Sequence, residues 1–123
     1  MTKILLVEDD PLMSRMYMRV LKYEGFDVDF AENGEDGVAK AKSFKPDLIL
    51  LDVMMSKMDG FKALEEIKAD LNTKDIPVVM LTNLAGEQDQ ESALKKGAIK
   101  YLIKSNYKPK EVVQIVNDLL HKK

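Results

Sequence analysis

Six side chains of this 123-residue chain have types and spacing that could do chemistry together: Glu8, Asp9 and Asp10 in VEDDP, Asp52 in LLDVM, Thr82 in MLTN and Lys104 in LIKS. Each set stands at or just beyond the end of a short apolar run rich in β-forming residues. Carboxylates gathered at low dielectric repel one another and raise each other's pKa unless a cation neutralises them. Two or three carboxylates with a backbone carbonyl, and no histidine or cysteine among them, suit Mg²⁺, a hard ion that prefers oxygen and retains water. Once neutralised, one carboxylate can accept a phosphoryl group, because the ion and a lysine offset charge on the transferring oxygens. Asp52 is the expected nucleophile.

For these groups to meet, separate strands must end at one edge. Runs 3–7, 27–31, 47–51, 77–81 and 98–103 read as strands. The first, third and fourth are almost continuously apolar, as parallel strands covered on both faces must be. Between them, 11–23 repeats apolar residues at Met13, Met16, Tyr17 and Val20, with Asp10 as N-cap and Pro11 in the first turn. Segment 35–44 reads as a helix, and 60–71 carries Phe61, Leu64, Ile67 and Leu71 behind an Asp59 cap. Segment 109–120 is broadly apolar, whereas about 87–96 offers only Ala93 and Leu94 for burial and is expected to be the most loosely held helix. Alternation of this kind implies an α/β fold with a doubly wound parallel sheet and right-handed crossovers. In such sheets ligands bind at the carboxyl ends of the strands, where the strand order reverses.

Length and composition fit one domain over residues 1–123, with 46% hydrophobic and 33% charged residues, which excludes a disordered or collagen-like chain. No apolar stretch reaches the roughly 18 residues of a membrane span and no secretory signal pattern opens the chain, so a cytoplasmic location without membrane contact is expected. The absence of cysteine rules out disulfides and thiolate metal sites. Net charge is −2, but residues 1–94 carry −8 and residues 95–123 carry +6. Solvated helix faces account for most of this, and the basic end also suits an acidic partner. Direct nucleic-acid binding is not expected, since the total is acidic and no recognition motif or interleaved aromatic and basic run is present.

The stretches ILLVEDD, LILLDVMMSKMDG, VVMLTN and KKGAIKYLIKS together resemble the receiver domains of two-component response regulators, over essentially the whole chain. The resemblance implies a CheY-like, flavodoxin-like (βα)5 fold with a five-stranded sheet in the order 2-1-3-4-5. It implies that Glu8, Asp9, Asp52 and the Met54 backbone carbonyl hold Mg²⁺ (or Mn²⁺), with Asp10 left as the helix cap. By the same resemblance Asp52 is the phosphoacceptor, Thr82 bonds one phosphoryl oxygen and Lys104 pairs with another. Tyr101 matches the aromatic whose inward or outward rotamer reports the state, so Thr82 and Tyr101 form the switch. The implied donor is the phosphohistidine of a sensor histidine kinase or a histidine phosphotransfer protein. The implied output is binding of an effector protein, or of a second copy, through the fourth helix, fifth strand and fifth helix. Such a domain is no enzyme in the ordinary sense, catalysing only its own phosphorylation and slow dephosphorylation. Receivers occur alone and fused to effectors, so the chain is stand-alone or excised from a longer regulator.

Taken singly, the same residues have plainer readings: Asp52 as a cap, Thr82 as a β-former, Lys104 as a solvated charge, and Glu8 and Asp9 as the start of a helix. Their convergence on one edge is what favours the chemical reading. Met55 and Met58 are expected to pack within a loop, and His121, the single histidine, to lie on the surface of a frayed tail.

The chain departs from the family pattern at three places. Ser56 and Ser105 stand where prolines are common, and Asn83 where alanine or glycine is favoured. The family's lysine–proline bond is typically cis, but a cis bond before serine costs about 2.5–4 kcal/mol, so a trans Lys104–Ser105 bond and a shifted loop are expected. Asn83, Leu84 and Met54 flank the route of attacking water, and Asn83 is expected to slow exchange at Asp52. Three rival classes are weaker. A metal-dependent phosphohydrolase with an aspartyl intermediate usually needs a second acid where Met54 stands. A flavodoxin-like cofactor binder needs a glycine- and hydroxyl-rich phosphate loop where VEDDP would repel phosphate. A receiver-like interaction module that is never phosphorylated is supported only by the departures.

Overall fold

The computed structural model describes residues 1–121. Its elements run β1 (Lys3–Val7), α1 (Pro11–Tyr23), β2 (Asp27–Ala31), α2 (Gly34–Phe44), β3 (Leu48–Leu51), α3 (Gly60–Ala69), β4 (Val78–Thr82), α4 (Glu87–Lys95), β5 (Lys100–Ile103), a 3₁₀ turn (Lys104–Asn106) and α5 (Pro109–His121). The strands form one parallel sheet in the order β2-β1-β3-β4-β5, the doubly wound α/β architecture that the alternating pattern predicts.

The pleat of each strand divides its side chains between two layers. Leu5 and Val7 of β1, Ile49 and Leu51 of β3, and Val78 and Met80 of β4 face a core that includes Val38, Ala41, Leu64, Ile67 and Ala93 of α2, α3 and α4. Ile4 and Leu6, Leu48 and Leu50, and Val79 and Leu81 face the other core, with Tyr17 and Leu21 of α1 and Val112 and Val116 of α5. Double burial is why the inner strands read as unbroken apolar runs.

Register decides which side chains meet beyond the strand ends. Val7 pairs with Leu51, so Glu8 and Asp52 leave adjacent strands at the same level. Thr82 pairs with Ile103, so the next residue of the last strand's path is Lys104. The sheet order reverses between β1 and β3, and the acids therefore stand at the topological switch point.

Several boundaries and faces differ from the sequence reading. Residues 47, 77, 98 and 99 lie outside their strands, whereas Thr82 is the last residue of β4 instead of the first beyond it. The buried face of α1 is Ser14, Tyr17 and Leu21, while Met16 is 38% exposed. Tyr17 is buried as the periodicity predicts, and Met13 and Val20 pack against the same core from its partly buried margin. Helix α3 stops at Ala69, and Leu71 is exposed in the turn that follows. His121 is exposed as expected, but it closes α5 instead of lying in a frayed tail. Lys122 and Lys123, part of the basic end, lie outside the described residues. None of the helices among the described residues is long and apolar enough to cross a membrane.

Candidate functional site

The acidic edge is assembled from backbones that the sheet already holds. The Glu8 N–H donates to the Ala31 carbonyl at 3.0 Å and the Asp52 N–H to the Val7 carbonyl at 3.1 Å, extending the ladder one step past the strand ends. Both side chains are consequently buried although both are acids. Asp9 is exposed, and Asp10 accepts from the N–H groups of Leu12 and Met13 as the N-cap of α1. Glu8, Asp9 and Asp52 each bring a carboxylate oxygen within 4.8 Å of the others, a group made only of oxygen donors.

Lys104 reaches this edge from the end of β5. Its ammonium donates to Asp52 Oδ2 at 2.7 Å and also to Glu8 Oε1, with only 8% of the lysine side chain exposed. The remaining carboxylate oxygens are bonded too: Asp52 Oδ1 accepts from the Met54 N–H at 3.3 Å and Glu8 Oε2 from the Asp10 N–H at 3.2 Å. Burial pushes the Glu8 carboxyl above its ordinary range, an effect that Lys104 only partly offsets and the nearby Asp52 charge reinforces. Burial alone would lower the Lys104 ammonium, but its bonds to Asp52 and Glu8 outweigh that and hold it above the ordinary lysine range. One buried cation thus faces two buried acids, with a third acid beside them.

The loop after Asp52 is fixed from beneath. A Cβ on Gly60 would fall 2.1 Å from the Asp52 carbonyl oxygen, so only glycine allows α3 to start against the backbone of Asp52. Gly34 at the start of α2 meets the Met58 carbonyl just as closely, and the Glu35 N–H donates to the Lys57 carbonyl at 3.1 Å. Met55 and Met58 pack against the core, as their loop position suggested, while Met54 is 63% exposed. Lys57 and Met58 adopt left-handed backbone at φ 48° and 84°.

On the other flank, Thr82 is fully buried and its Oγ1 accepts from the Leu84 N–H at 3.3 Å. The Leu84 carbonyl in turn accepts from the Tyr101 hydroxyl at 2.6 Å. One peptide segment therefore joins Thr82 to Tyr101. Burial pushes the Tyr101 phenol up to about 12, with the charges of Asp89 and Asp52 adding to the effect. The described residues contain no cis peptide bond, so Lys104–Ser105 is trans, and the path turns through a 3₁₀ turn before α5. Asn83 is exposed, with its Oδ1 accepting from the Ser105 N–H at 3.1 Å.

The structure thus brings together Glu8, Asp9, Asp52 and Lys104, and places Thr82, Asn83, Leu84 and Tyr101 along the adjoining loop. Sequence reasoning missed the role of Gly60, although a glycine eight residues beyond Asp52 at a helix start was a usable signal. It also missed Tyr17, a core phenol raised by burial and close enough to Lys104, Glu8 and Asp52 to feel their charges.

The profile described as "Response regulator receiver domain" matches residues 4–117, and the chain belongs to that family. It is 42% identical over 104 residues to the DNA-binding dual master transcriptional regulator RpaA of Synechocystis sp., covering 85% of this chain but 43% of RpaA. It is 38% identical to Protein PilH of Pseudomonas aeruginosa, covering 85% of this chain and 86% of PilH. The chain spans about half the length of several further relatives that it matches. Among solved structures, the Mn²⁺-bound form of response regulator Rcp1 superposes with a TM-score of 0.84 at 31% identity, covering all of this chain and 97% of that one. Receiver domains of this kind belong to the response regulators of two-component systems, and in this chain the acidic cluster at the strand ends is a set of oxygen donors that could hold a metal ion.

Proposed function

We propose that this chain is a single receiver domain acting as a phosphorylation-dependent switch, with Asp52 as the phosphoacceptor. The observation that carries this reading is the meeting of Glu8, Asp9 and Asp52 from β1 and β3 with Lys104 from β5 at the switch point of the sheet. The all-oxygen donor set fits Mg²⁺ or Mn²⁺, held by Glu8, Asp9, Asp52 and the Met54 carbonyl. When bound, the ion supplies positive charge to the oxygens of the transferring phosphoryl group.

The protein's own groups do the rest. An Asp52 carboxylate oxygen attacks the phosphorus of a phosphohistidine, forming the P–O bond as the P–N bond breaks and the electron pair leaves on the imidazole. Lys104, already bonded to Asp52, pairs with one phosphoryl oxygen, and Thr82 donates its hydroxyl to another. The Thr82 hydroxyl accepts from the Leu84 N–H and keeps its own O–H free to donate, so any movement of Thr82 toward the phosphoryl group draws on Leu84, whose carbonyl holds Tyr101. That sequence passes a local charge change to α4 and β5 as a population shift. Met54, Asn83 and Leu84 border the path of the hydrolytic water and set the phosphate lifetime. The partners are a histidine kinase or histidine phosphotransfer protein upstream, and downstream an effector or second copy on the α4–β5–α5 face. The setting is the cytoplasm.

The test is incubation with acetyl phosphate and Mg²⁺ followed by intact-mass measurement. Wild type should gain one phosphoryl group and Asp52→Asn none. No gain on wild type would assign the chain to the receiver-like modules that are not phosphorylated.

A further inference from the structure

The turn that carries Lys104 lacks a local cap. A 3₁₀ turn leaves its first N–H groups without internal acceptors, and no capping side chain closes Lys104–Asn106 from its own N-terminal end. The Ser105 N–H is satisfied instead from another loop, by Asn83 Oδ1 at 3.1 Å, 22 residues earlier in the chain. This bond requires two residues at once: position 105 must not be proline, which has no N–H, and position 83 must offer an acceptor. Both conditions are met in this chain, by Ser105 and Asn83.

Its location gives the bond a use. The last register pair of β4 and β5 is Thr82 with Ile103. The Asn83–Ser105 bond lies one step beyond, where the ladder has ended and the side chain takes the place of a backbone acceptor. Its two ends are the immediate chain neighbours of Thr82 and Lys104.

We infer that Asn83 is a positioning residue: its side-chain carbonyl caps the Lys104 turn across the gap between loops and fixes Lys104 relative to Thr82. In place of the rigidity that a proline would give the turn, the chain uses a hydrogen bond that can open. A loop shift that moves Asn83 therefore also frees the turn bearing Lys104. The effect on phosphoryl transfer rests on the reading of Asp52 as acceptor; the bond itself does not.

Two measurements on the full chain test this. The first is amide hydrogen exchange at Ser105 in wild type, Asn83→Asp and Asn83→Leu. Asp keeps the acceptor and should protect Ser105 to within about twofold of wild type, whereas Leu keeps the bulk but loses the acceptor and should exchange roughly threefold to tenfold faster. Equal protection in Asn83→Leu and wild type would overturn the capping role. The second is the rate of Asp52 phosphorylation by acetyl phosphate with Mg²⁺ in Asn83→Leu and Asn83→Ala. Similar slowing in both is expected, because both lose the cap, the opposite of the faster exchange in Asn83→Ala that a purely steric role of Asn83 predicts. Acceleration in Asn83→Ala alone would overturn the positioning role and show that Asn83 acts by its bulk. If wild type itself gains no phosphoryl group, the functional reading fails, and the exchange measurement still decides the cap.

Discussion

Helices α1 and α4 both follow strands that end at the acidic edge, yet they are anchored very differently. Helix α1 has a side-chain N-cap in Asp10 and seats Tyr17 and Leu21 in the core. Helix α4 has Gly86 at its N-cap, with no side-chain capping bond, and buries only Ala93. The acids of β1 and β3 thus stand on the well-anchored side, while Thr82 and Tyr101 adjoin the weakly anchored one. A switch needs this division, since the groups that receive charge must stay in place while the element that responds must cost little to move.

The largest expected effect is on the firm side. Leu21→Ala should lower stability by about 2–5 kcal/mol in urea unfolding, as for other fully buried leucines. The matching change on the other side, Leu94→Ala at a residue 49% exposed, should cost no more than about 0.5 kcal/mol. Equal losses would show that α4 is held as firmly as α1.

The next effect concerns the bridge between the two sides. Lys104→Ala leaves Glu8 and Asp52 buried without their cation and should cost roughly 2–3 kcal/mol without metal. Because the Glu8 carboxyl is raised, it is neutralised on acidification before an ordinary carboxyl would be. The deficit should therefore shrink as pH falls through the raised Glu8 value. Added Mg²⁺ should stabilise the variant more than wild type, since it replaces the missing charge. A deficit independent of both pH and Mg²⁺ would place the role of Lys104 in packing.

The third effect lies wholly on the responding side. Tyr101→Phe removes one hydrogen bond, to the Leu84 carbonyl, and should cost about 1 kcal/mol. With its phenol raised from 10.0 to about 12, Tyr101 contributes stability that is complete below pH 10 and lost as pH rises through about 12. An ultraviolet titration should show one phenolate fewer near pH 12 in Tyr101→Phe than in wild type, any late titration of the buried Tyr17 being common to both. The absence of that difference would mean that Tyr101 is already turned outward.

Strand and helix order were legible because they rest on local patterns: continuous apolar runs for β1, β3 and β4, and capping residues at Asp10 and Asp59 that bond as their positions suggest. The meeting of Glu8, Asp9, Asp52 and Lys104 was legible from strand ends alone, since parallel order and register bring those ends level. What escaped was the detail of approach. Ser14 is buried on α1 although it is polar, and Gly60 beneath Asp52 matters for its smallness, and a search for apolar residues overlooks both. The Asn83–Ser105 bond joins a side chain to a backbone N–H across two loops, and no periodicity encodes such a contact. Nor did the sequence show that Lys104 holds Glu8 as well as Asp52.

The span of that last contact has a consequence for the newly made chain. Lys104 follows Glu8 by 96 residues and Asp52 by 52. At about 5–20 residues per second, the ribosome completes Asp52 roughly 3–10 seconds before Lys104. Throughout that interval the acids exist without their ammonium. No nascent chain that stops short of Lys104 can hold the finished constellation, so the arrival of the last strand marks the birth of the site as well as the closure of the sheet.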